Sequence, residues 1–444
     1  MKKIPIFKLE FEKKFQKKYN LLSNKILKSK SLSEGTYVSK FEKKFSNFVH
    51  SKYSLAVTNG TAALEIAFRV ININNKEVIV PTNTFFATII AIIKAGGKPV
   101  LCDNKKGSPD MDIQEIKKKI TKKTKAICVV HVGGVISEKI TDLLDLCKKK
   151  KLFLVEDAAH AHGSYLNKKL YAGTIGDIGC FSFYPTKVMT TGEGGMITTN
   201  NNKLYAQMSS YKNFGRSNDP NLINFLGSNY KISEFTAILG ILELERIKKR
   251  INKRKAIVLR YLKNLRNNDN YELIIQSKGR SSYYKCIIKT KIKSKIINKY
   301  CRSKGISLTG KVWEIPIHKQ KVFKKYIKKT KFKNAEKFSE YHICPPNYPE
   351  LTLNDIAQQF DISQRSFTRR FKRATGINAT QYWQKLKIQT AKELLAASNL
   401  SIQEIAFQVG YQDQANFTRL FKKTLSITPK AYRAMVRKKL FSHD

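Results

Sequence analysis

"FSFYPTKVMTTGEGG" (residues 181–195) sets an apolar run, a lone lysine and a glycine cluster side by side. The run is short, aromatic and β-prone, as a buried strand requires, and the glycines mark a turn. Five similar runs precede it: "SLAVTN" (54–59), "EVIVP" (77–81), "KPVLCD" (98–103), "AICVVHV" (126–132) and "FLVEDA" (153–158). Each is apolar on both faces, so each predicts a strand in a sheet covered by helices on both sides. Helix-length patterns such as "TAALEIAFRVI" and "EKITDLLDLCKKKK" lie between them. This alternation predicts an α/β fold with a mostly parallel sheet. From about residue 205 the pattern turns mainly helical, and about 250 to 350 reads as a smaller α+β unit.

Near residue 351 the composition shifts. Residues 1–350 hold 59 Lys, 9 Arg and 5 Gln, whereas 351–444 hold 9 Lys, 7 Arg and 10 Gln. No Pro/Gly/Ser-rich linker marks the seam, although domains normally meet across one. The predicted organisation is therefore 1–250, 251–350 and 351–444. The last part contains a repeat: "IAQQF…FTRRFKRATGINATQY" (356–382) returns as "IAFQV…FTRLFKKTLSITPKAY" (405–432). Two copies indicate a duplicated helical unit rather than a solenoid.

The formal net charge of +51 invites a nucleic-acid reading. In 1–350, however, the lysines are scattered and accompanied by many Ile and Asn, which reads as compositional bias rather than a binding stripe. The seven cysteines form no C-x-x-C pair, and several sit in apolar runs. Buried thiols in a reducing compartment account for them better than disulfides or zinc. The start "MKKIPIFKLEFEKK" has no apolar signal-peptide core, and no apolar run is long enough to span a membrane. The expected setting is cytoplasmic, with no membrane partner and no metal.

Lys187 and "TGEGG" do not match a nucleotide P-loop. Two other stretches change the meaning of the lysine. "VEDAAHAHGS" (155–164) ends an apolar strand on Asp157, and "TNGTAAL" (58–64) places small residues at a strand-to-helix turn, where backbone N–H groups and the helix dipole favour a phosphate. A lysine for an aldehyde, a carboxylate for a ring nitrogen and a phosphate cradle suit pyridoxal 5'-phosphate, whose protonated pyridine is a good electron acceptor.

With "PTNTFFAT" (81–88), "NYKIS" (229–233) and "PIH" (316–318) in order, residues 1–352 resemble the DegT/DnrJ/EryC1/StrS family of sugar aminotransferases. The resemblance implies a fold type I PLP-transferase, transfer of an amino group from L-glutamate to a nucleotide-linked keto-sugar, and a homodimer. It implies that Lys187 bonds the cofactor's aldehyde and shuttles protons, and that Asp157 pairs with the ring nitrogen. His160 would bond the ring hydroxyl, and Phe85 would stack on the ring. Gly60, Thr61 and Ser182 would hold the phosphate, Asn229 would reach it from the other subunit, and His318 would face the substrate. Dehydratase relatives carry histidine in place of the lysine, so Lys187 favours transamination. Taken singly, Phe85 reads as a core residue, and His160 and His162 as satisfied strand-end histidines. The chain departs from the family at Lys231, where arginine is usual, at "HVGG" (131–134), which lacks a bulky residue, and after "YPEL", where a closing helix is expected.

In the tail, Ile356, Ala357, Phe360, Phe367 and Phe371 form one apolar face, and Ile405, Ala406, Val409, Phe417 and Phe421 form its second copy. "QYWQKLKIQTAKELLAAS" (381–398) is an amphipathic helix between them. "SIQEIAFQVGYQDQANFTRLFKK…TPKAYR" closely resembles the AraC/XylS DNA-binding domain, an all-α double helix-turn-helix. The resemblance implies that Arg365, Thr368 and Arg369, and then Gln414, Ala415, Thr418 and Arg419, face adjacent major grooves of double-stranded DNA. Ser426 stands where that family has glycine. The two halves admit three readings of the whole: an active enzyme with an appended DNA-binding module, a regulator whose aminotransferase-like part senses a ligand, or a chimera of two unrelated proteins.

Overall fold

The computed structural model describes residues 5, 7–217, 219, 221–265, 268–303, 305–308, 312–327, 330–351, 379–398, 400–411 and 413–440. The chain divides into two compact units, with the division in sequence after residue 351.

In the larger unit, α1 (Lys13–Ser29) and α2 (Thr36–Val49) precede β1 (Tyr53–Val57). There follow α3 (Gly60–Val70), β2 (Glu77–Pro81), α4 (Phe86–Lys94), β3 (Lys98–Cys102), α5 (Ile113–Lys119), β4 (Thr124–Val130), α6 (Ile140–Lys150) and β5 (Phe153–Asp157). A small hairpin, β6 (Tyr165–Asn167) and β7 (Leu170–Tyr171), leads to β8 (Ile178–Ser182) and β9 (Gly195–Thr199). The seven-stranded sheet has the order β1-β9-β8-β5-β4-β2-β3. Strands β3, β2, β4, β5 and β8 are parallel, while β9 runs antiparallel to both β8 and β1. Strand β9 was not among the six predicted runs. "GMITT" follows directly on the glycine cluster and is too short to stand out from the turn.

The sheet's period of two sorts its residues between two cores. Ala56, Ile79, Ile127, Val129 and Leu154 pack with α2, α6 and the long helix α8 (Glu234–Leu265), which follows α7 (Asn202–Lys212). Their neighbours Leu55, Val57, Val78, Val80, Ala126, Cys128 and Val155 pack on the other face with α3, α4 and α7. Fully burying an aromatic such as Phe41, Phe45 or Phe181 contributes roughly 1.5–3 kcal/mol. Six of the seven cysteines are buried in these cores or in the smaller clusters beside them. The buried Glu234 of α8 accepts bonds from the N–H groups of Gly35, Tyr37 and Val38, and so caps α2 from outside.

Strands β10 (Tyr271–Ile274), β11 (Ile287–Thr290) and β12 (His342–Ile343) form a second, antiparallel sheet with α9 (Ser294–Ser303) and α10 (Lys333–Glu340) between the last two strands. Helix α8 runs through residue 250 without a break, and residues 3–351 group as one unit. The large and small parts of this unit are therefore joined by a continuous helix.

The described part of the smaller unit contains α11 (Ala379–Ala397), α12 (Ile402–Gln408), α13 (Gln414–Leu425) and α14 (Pro429–Leu440). Ile388, Ala391 and Leu395 of α11 pack with Ile405, Ala406, Val409, Phe417 and Phe421, so the second apolar set lies inside as its pattern predicts. Ser401 and Glu404 form a capping box on α12, and Asp413 caps α13. The first set, from Ile356 to Phe371, lies outside the described residues, as does the position of the expected closing helix. Among the described residues, no helix is long and apolar enough to cross a membrane.

Candidate active site and DNA-facing helix

Strands β1, β2, β4, β5 and β8 all deliver their carboxyl ends to one edge of the large sheet, where parallel α/β folds bind ligands. The loops at this edge carry residues 58–61, 82–86, 131–134, 157–162 and 182–187.

Asp157 ends β5 with its carboxyl group buried. One oxygen accepts from Thr88 Oγ1 at 2.9 Å and the other from the Ala159 N–H at 3.2 Å. Burial pushes its pKa up, against the opposing pull of these two bonds and of the Lys187 charge. Lys187 is half-buried, with Nζ 5.1 Å from the centre of the Tyr284 ring. His160 is buried, accepts from the Gly133 N–H at Nδ1 and lies 4.3 Å from the Tyr284 ring, centre to centre. Its pKa is held well below the usual range, first by burial and then by the Lys187 and Lys285 charges.

His162 departs from the satisfied strand-end reading. It is fully buried against Phe181 and Phe183, and neither ring nitrogen has a hydrogen-bond partner of good geometry. Burial, then the Lys187 charge, lowers its pKa to about 3, against a smaller opposing pull from the nearby Ser182 backbone. Phe85 departs from the core reading. It is 47 % exposed at the start of α4, with its ring against Phe86.

The strand-to-helix turn after β1 is equally specific. Asn59 caps α3 by accepting from the Ala62 N–H, which leaves the first N–H groups, those of Gly60 and Thr61, without intrahelical acceptors. A Cβ on Gly60 would stand 2.7 Å from Ser182 Cβ, so glycine is required for this turn to approach the end of β8. Asn229 pairs with Asn213, and its neighbour Tyr230 accepts from the Thr58 N–H at its carbonyl, at 3.1 Å. Lys231 bonds Asn213 Oδ1 at 3.1 Å. His318 has both ring nitrogens engaged, with Thr82 Oγ1 at 2.7 Å and Glu336 Oε1 at 3.0 Å. That arrangement braces the 82–86 loop.

Two features were not read from the sequence. Glu156 is buried under the site. It accepts from the N–H groups of Gly173, Ile175 and Gly176 and bonds His131 Nε2 at 2.8 Å. His131 Nδ1 accepts from the Ser137 N–H, which assigns the proton to Nε2. The other is Tyr284, whose hydroxyl lies 3.2 Å from Thr186 Oγ1. Burial raises its pKa, but the Lys187 and Lys285 charges, the Thr186 bond and Arg254 together bring it below the usual range.

In the smaller unit, Gln414, Ala415 and Arg419 are exposed along α13 and Thr418 is half-buried there. Arg419 Nη2 donates to Asn416 Oδ1 at 2.8 Å. Arg365, Thr368 and Arg369 lie outside the described residues.

Residues 13–361 match the profile of the DegT/DnrJ/EryC1/StrS aminotransferase family, and residues 356–435 match that of a helix-turn-helix domain. The GDP-perosamine synthase of Escherichia coli O157:H7 is 37 % identical over 268 residues, 60 % of this chain and 72 % of that protein. The dTDP-3-amino-3,6-dideoxy-alpha-D-galactopyranose transaminase of Aneurinibacillus thermoaerophilus is 30 % identical over 365 residues, 82 % of this chain and 99 % of that protein. A putative sugar aminotransferase of Streptococcus pneumoniae, solved in its PLP form, shares the fold with a TM-score of 0.74 at 23 % identity, covering 81 % of this chain and 97 % of that one.

The residues present fit PLP. The Gly60–Ser182 approach forms a cradle that a side chain at residue 60 would fill, and Asp157 is a buried carboxyl that a protonated ring nitrogen would stabilise in its ionised form. The chain belongs to the DegT/DnrJ/EryC1/StrS aminotransferase family, whose cofactor is PLP, and carries a C-terminal helix-turn-helix domain.

Proposed function

We propose that this chain transfers an amino group from L-glutamate to a keto group of a nucleotide-linked sugar, and that its C-terminal domain binds double-stranded DNA in a sequence-specific way. The observation that carries the enzymatic reading is the gathering of Asp157, Lys187, His160 and the Gly60–Ser182 turn at one sheet edge. Bound there, PLP supplies an aldehyde for amine exchange and an electron-accepting ring.

In this reading Lys187 would hold the cofactor at its aldehyde and would take and return a proton at Nζ. Asp157 holds the proton on the ring nitrogen. Its carboxyl is kept in place by Thr88 and the Ala159 N–H. His160 bonds the ring hydroxyl, and the exposed Phe85 supplies a stacking face. The N–H groups of Gly60 and Thr61, with the Ser182 hydroxyl, hold the phosphate at the start of α3. Asn229 of the partner subunit completes that cradle in a homodimer. We assign His318 to bracing the 82–86 loop and setting its position toward the sugar. Gln414, Ala415, Thr418 and Arg419 supply the base-reading face of α13, with Arg365, Thr368 and Arg369 as the first-copy counterparts. The large and small parts of the enzyme are taken as 1–250 and 251–350, and the DNA-binding domain as 351–444. A cytoplasmic setting supplies nucleotide-linked sugars and DNA together.

The test is turnover by the full chain given PLP, L-glutamate and GDP- or dTDP-linked keto-sugars. Release of 2-oxoglutarate in step with an aminated sugar is expected, and its absence with every such sugar contradicts the enzymatic reading. For the tail, a gel shift on genomic fragments that weakens steeply with salt is expected. Equal binding to every fragment contradicts sequence-specific recognition.

A further inference from the structure

We propose that Tyr284 is the positioning residue of Lys187, its ring face holding the lysine's ammonium group at the mouth of the site. This rests on the reading of Lys187 given under Proposed function.

A lysine side chain has four rotatable bonds and about 2 kcal/mol of rotamer entropy. One that must bond an aldehyde, leave it and carry a proton needs a resting place that does not trap it. Among the described residues, no carboxylate lies within ion-pair distance of Lys187 Nζ. An ion pair there would hold the charged form too firmly to release a neutral amine. What Nζ does face is the Tyr284 ring, 5.1 Å from its centre. An aromatic face attracts an ammonium group more weakly than a buried carboxylate does and has no comparable hold on the neutral amine.

The ring itself is fixed from several sides. Its hydroxyl meets Thr186 Oγ1 at 3.2 Å, one residue before the lysine, and one face packs on His160. Its carbonyl accepts from the buried Arg254 of α8 at 3.3 Å. The residues around it are stitched to two site loops. Ser282 Oγ donates to the His160 carbonyl at 2.6 Å, the Ser282 N–H donates to Ser164 Oγ at 2.8 Å, and the Lys285 N–H donates to the Gly133 carbonyl at 3.0 Å. Gly134, at φ +94°, makes room, because a Cβ there would stand 2.0 Å from Ser282 Oγ and 3.2 Å from the Tyr284 nitrogen. The bonds of Ser282 and Lys285, on either side of Tyr284, set its ring relative to the loops that carry His160 and Gly133.

The test compares Tyr284→Phe, which keeps the ring face, with Tyr284→Met and Tyr284→Leu, which fill the space without one. Thermal unfolding first shows which variants fold. The cofactor-free full chain is then mixed with pyridoxal phosphate. Capture is followed by absorbance, by visible circular dichroism of the bound cofactor and by borohydride trapping on the Lys187 peptide. A cation–π contact predicts that the non-aromatic variants capture about three- to thirty-fold more slowly, with altered dichroism. Their kcat should fall by a similar factor with KM for glutamate within about two-fold, while Tyr284→Phe stays within about two-fold of wild type throughout. Equal capture by Phe, Met or Leu variants overturns the proposal. So does a loss in Tyr284→Phe as large as in the others, which would move the role to the hydroxyl. If neither non-aromatic variant folds, that comparison of Tyr284→Phe with wild type still decides. Failure of the wild type to capture pyridoxal phosphate contradicts the underlying reading instead.

Discussion

In the function proposed above, the carboxyl edge of the large sheet and the exposed face of α13 serve their ligands in opposite ways. At the sheet edge polar groups are buried at a cost: His162 has no hydrogen-bond partner of good geometry, and burial opposes the ionisation of Asp157 even though Thr88 and the Ala159 N–H bond its carboxyl. Along α13 only apolar residues are hidden, Phe417 and Phe421 among them, while Gln414, Ala415 and Arg419 stand in solvent. A small polar ligand must be surrounded, so its site forgoes some stability for pre-arranged groups. A duplex is met on one side, so a stable helical core and an exposed polar stripe suffice.

This contrast can be broken at its strongest point with Phe417→Ala. Phe417 is fully buried against Tyr411 and Phe421, and its loss is expected to cost about 3–5 kcal/mol. If the small unit's core is self-contained, calorimetry shows one transition lost or lowered while PLP capture by the larger unit is unchanged. Loss of both together would contradict the division.

His162 sharpens the other side. Its folded pKa, lowered to about 3, lies below the ordinary value of 6.5, so the unfolded chain takes up a proton first as pH falls. Stability from the neutral, buried imidazole is full above about pH 6.5 and is lost progressively toward pH 3. His162→Leu should flatten that acid limb in denaturant titrations; an unchanged limb would show that the imidazole is solvated or paired.

Arg419→Ala is expected to weaken specific DNA binding by roughly 1–3 kcal/mol, about thirty-fold at the centre of that range, with relaxed preference at one base position. A uniform loss across sequences, with a shallower salt dependence, would make it a phosphate contact instead. The smallest effect is expected at Ser426. It ends α13 at φ 60° in the left-handed region, where glycine is unstrained. Ser426→Gly should stabilise the small unit by about 1 kcal/mol, read as a higher unfolding midpoint.

Much of the large sheet was legible because its strands are apolar on both faces and end at recognisable turns. The placement of Asp157, Gly60 and Lys187 at the carboxyl edge of the sheet was legible for the same reason, since each sits at or shortly after the end of such a run. Strand β9 was hidden by its glycine-rich approach. Phe85 was ambiguous because composition does not distinguish an aromatic facing a ligand from one facing a core. Tyr284 was not legible at all. It lies 98 residues after Thr186, the residue its hydroxyl meets, and nothing in "SSYYKC" (281–286) marks one tyrosine as facing a lysine. Only the return of that segment onto the His160 and Gly133 loops brings it there. The tail was legible through its repeat, and its second copy buries the residues its pattern selects.

Borohydride reduction of the full chain after incubation with pyridoxal phosphate, followed by peptide mass spectrometry, tests the central claim most directly. The account predicts one phosphopyridoxyl adduct, on the peptide containing Lys187, and none in Lys187→Ala. An adduct spread over surface lysines, or confined to a different lysine, would contradict it.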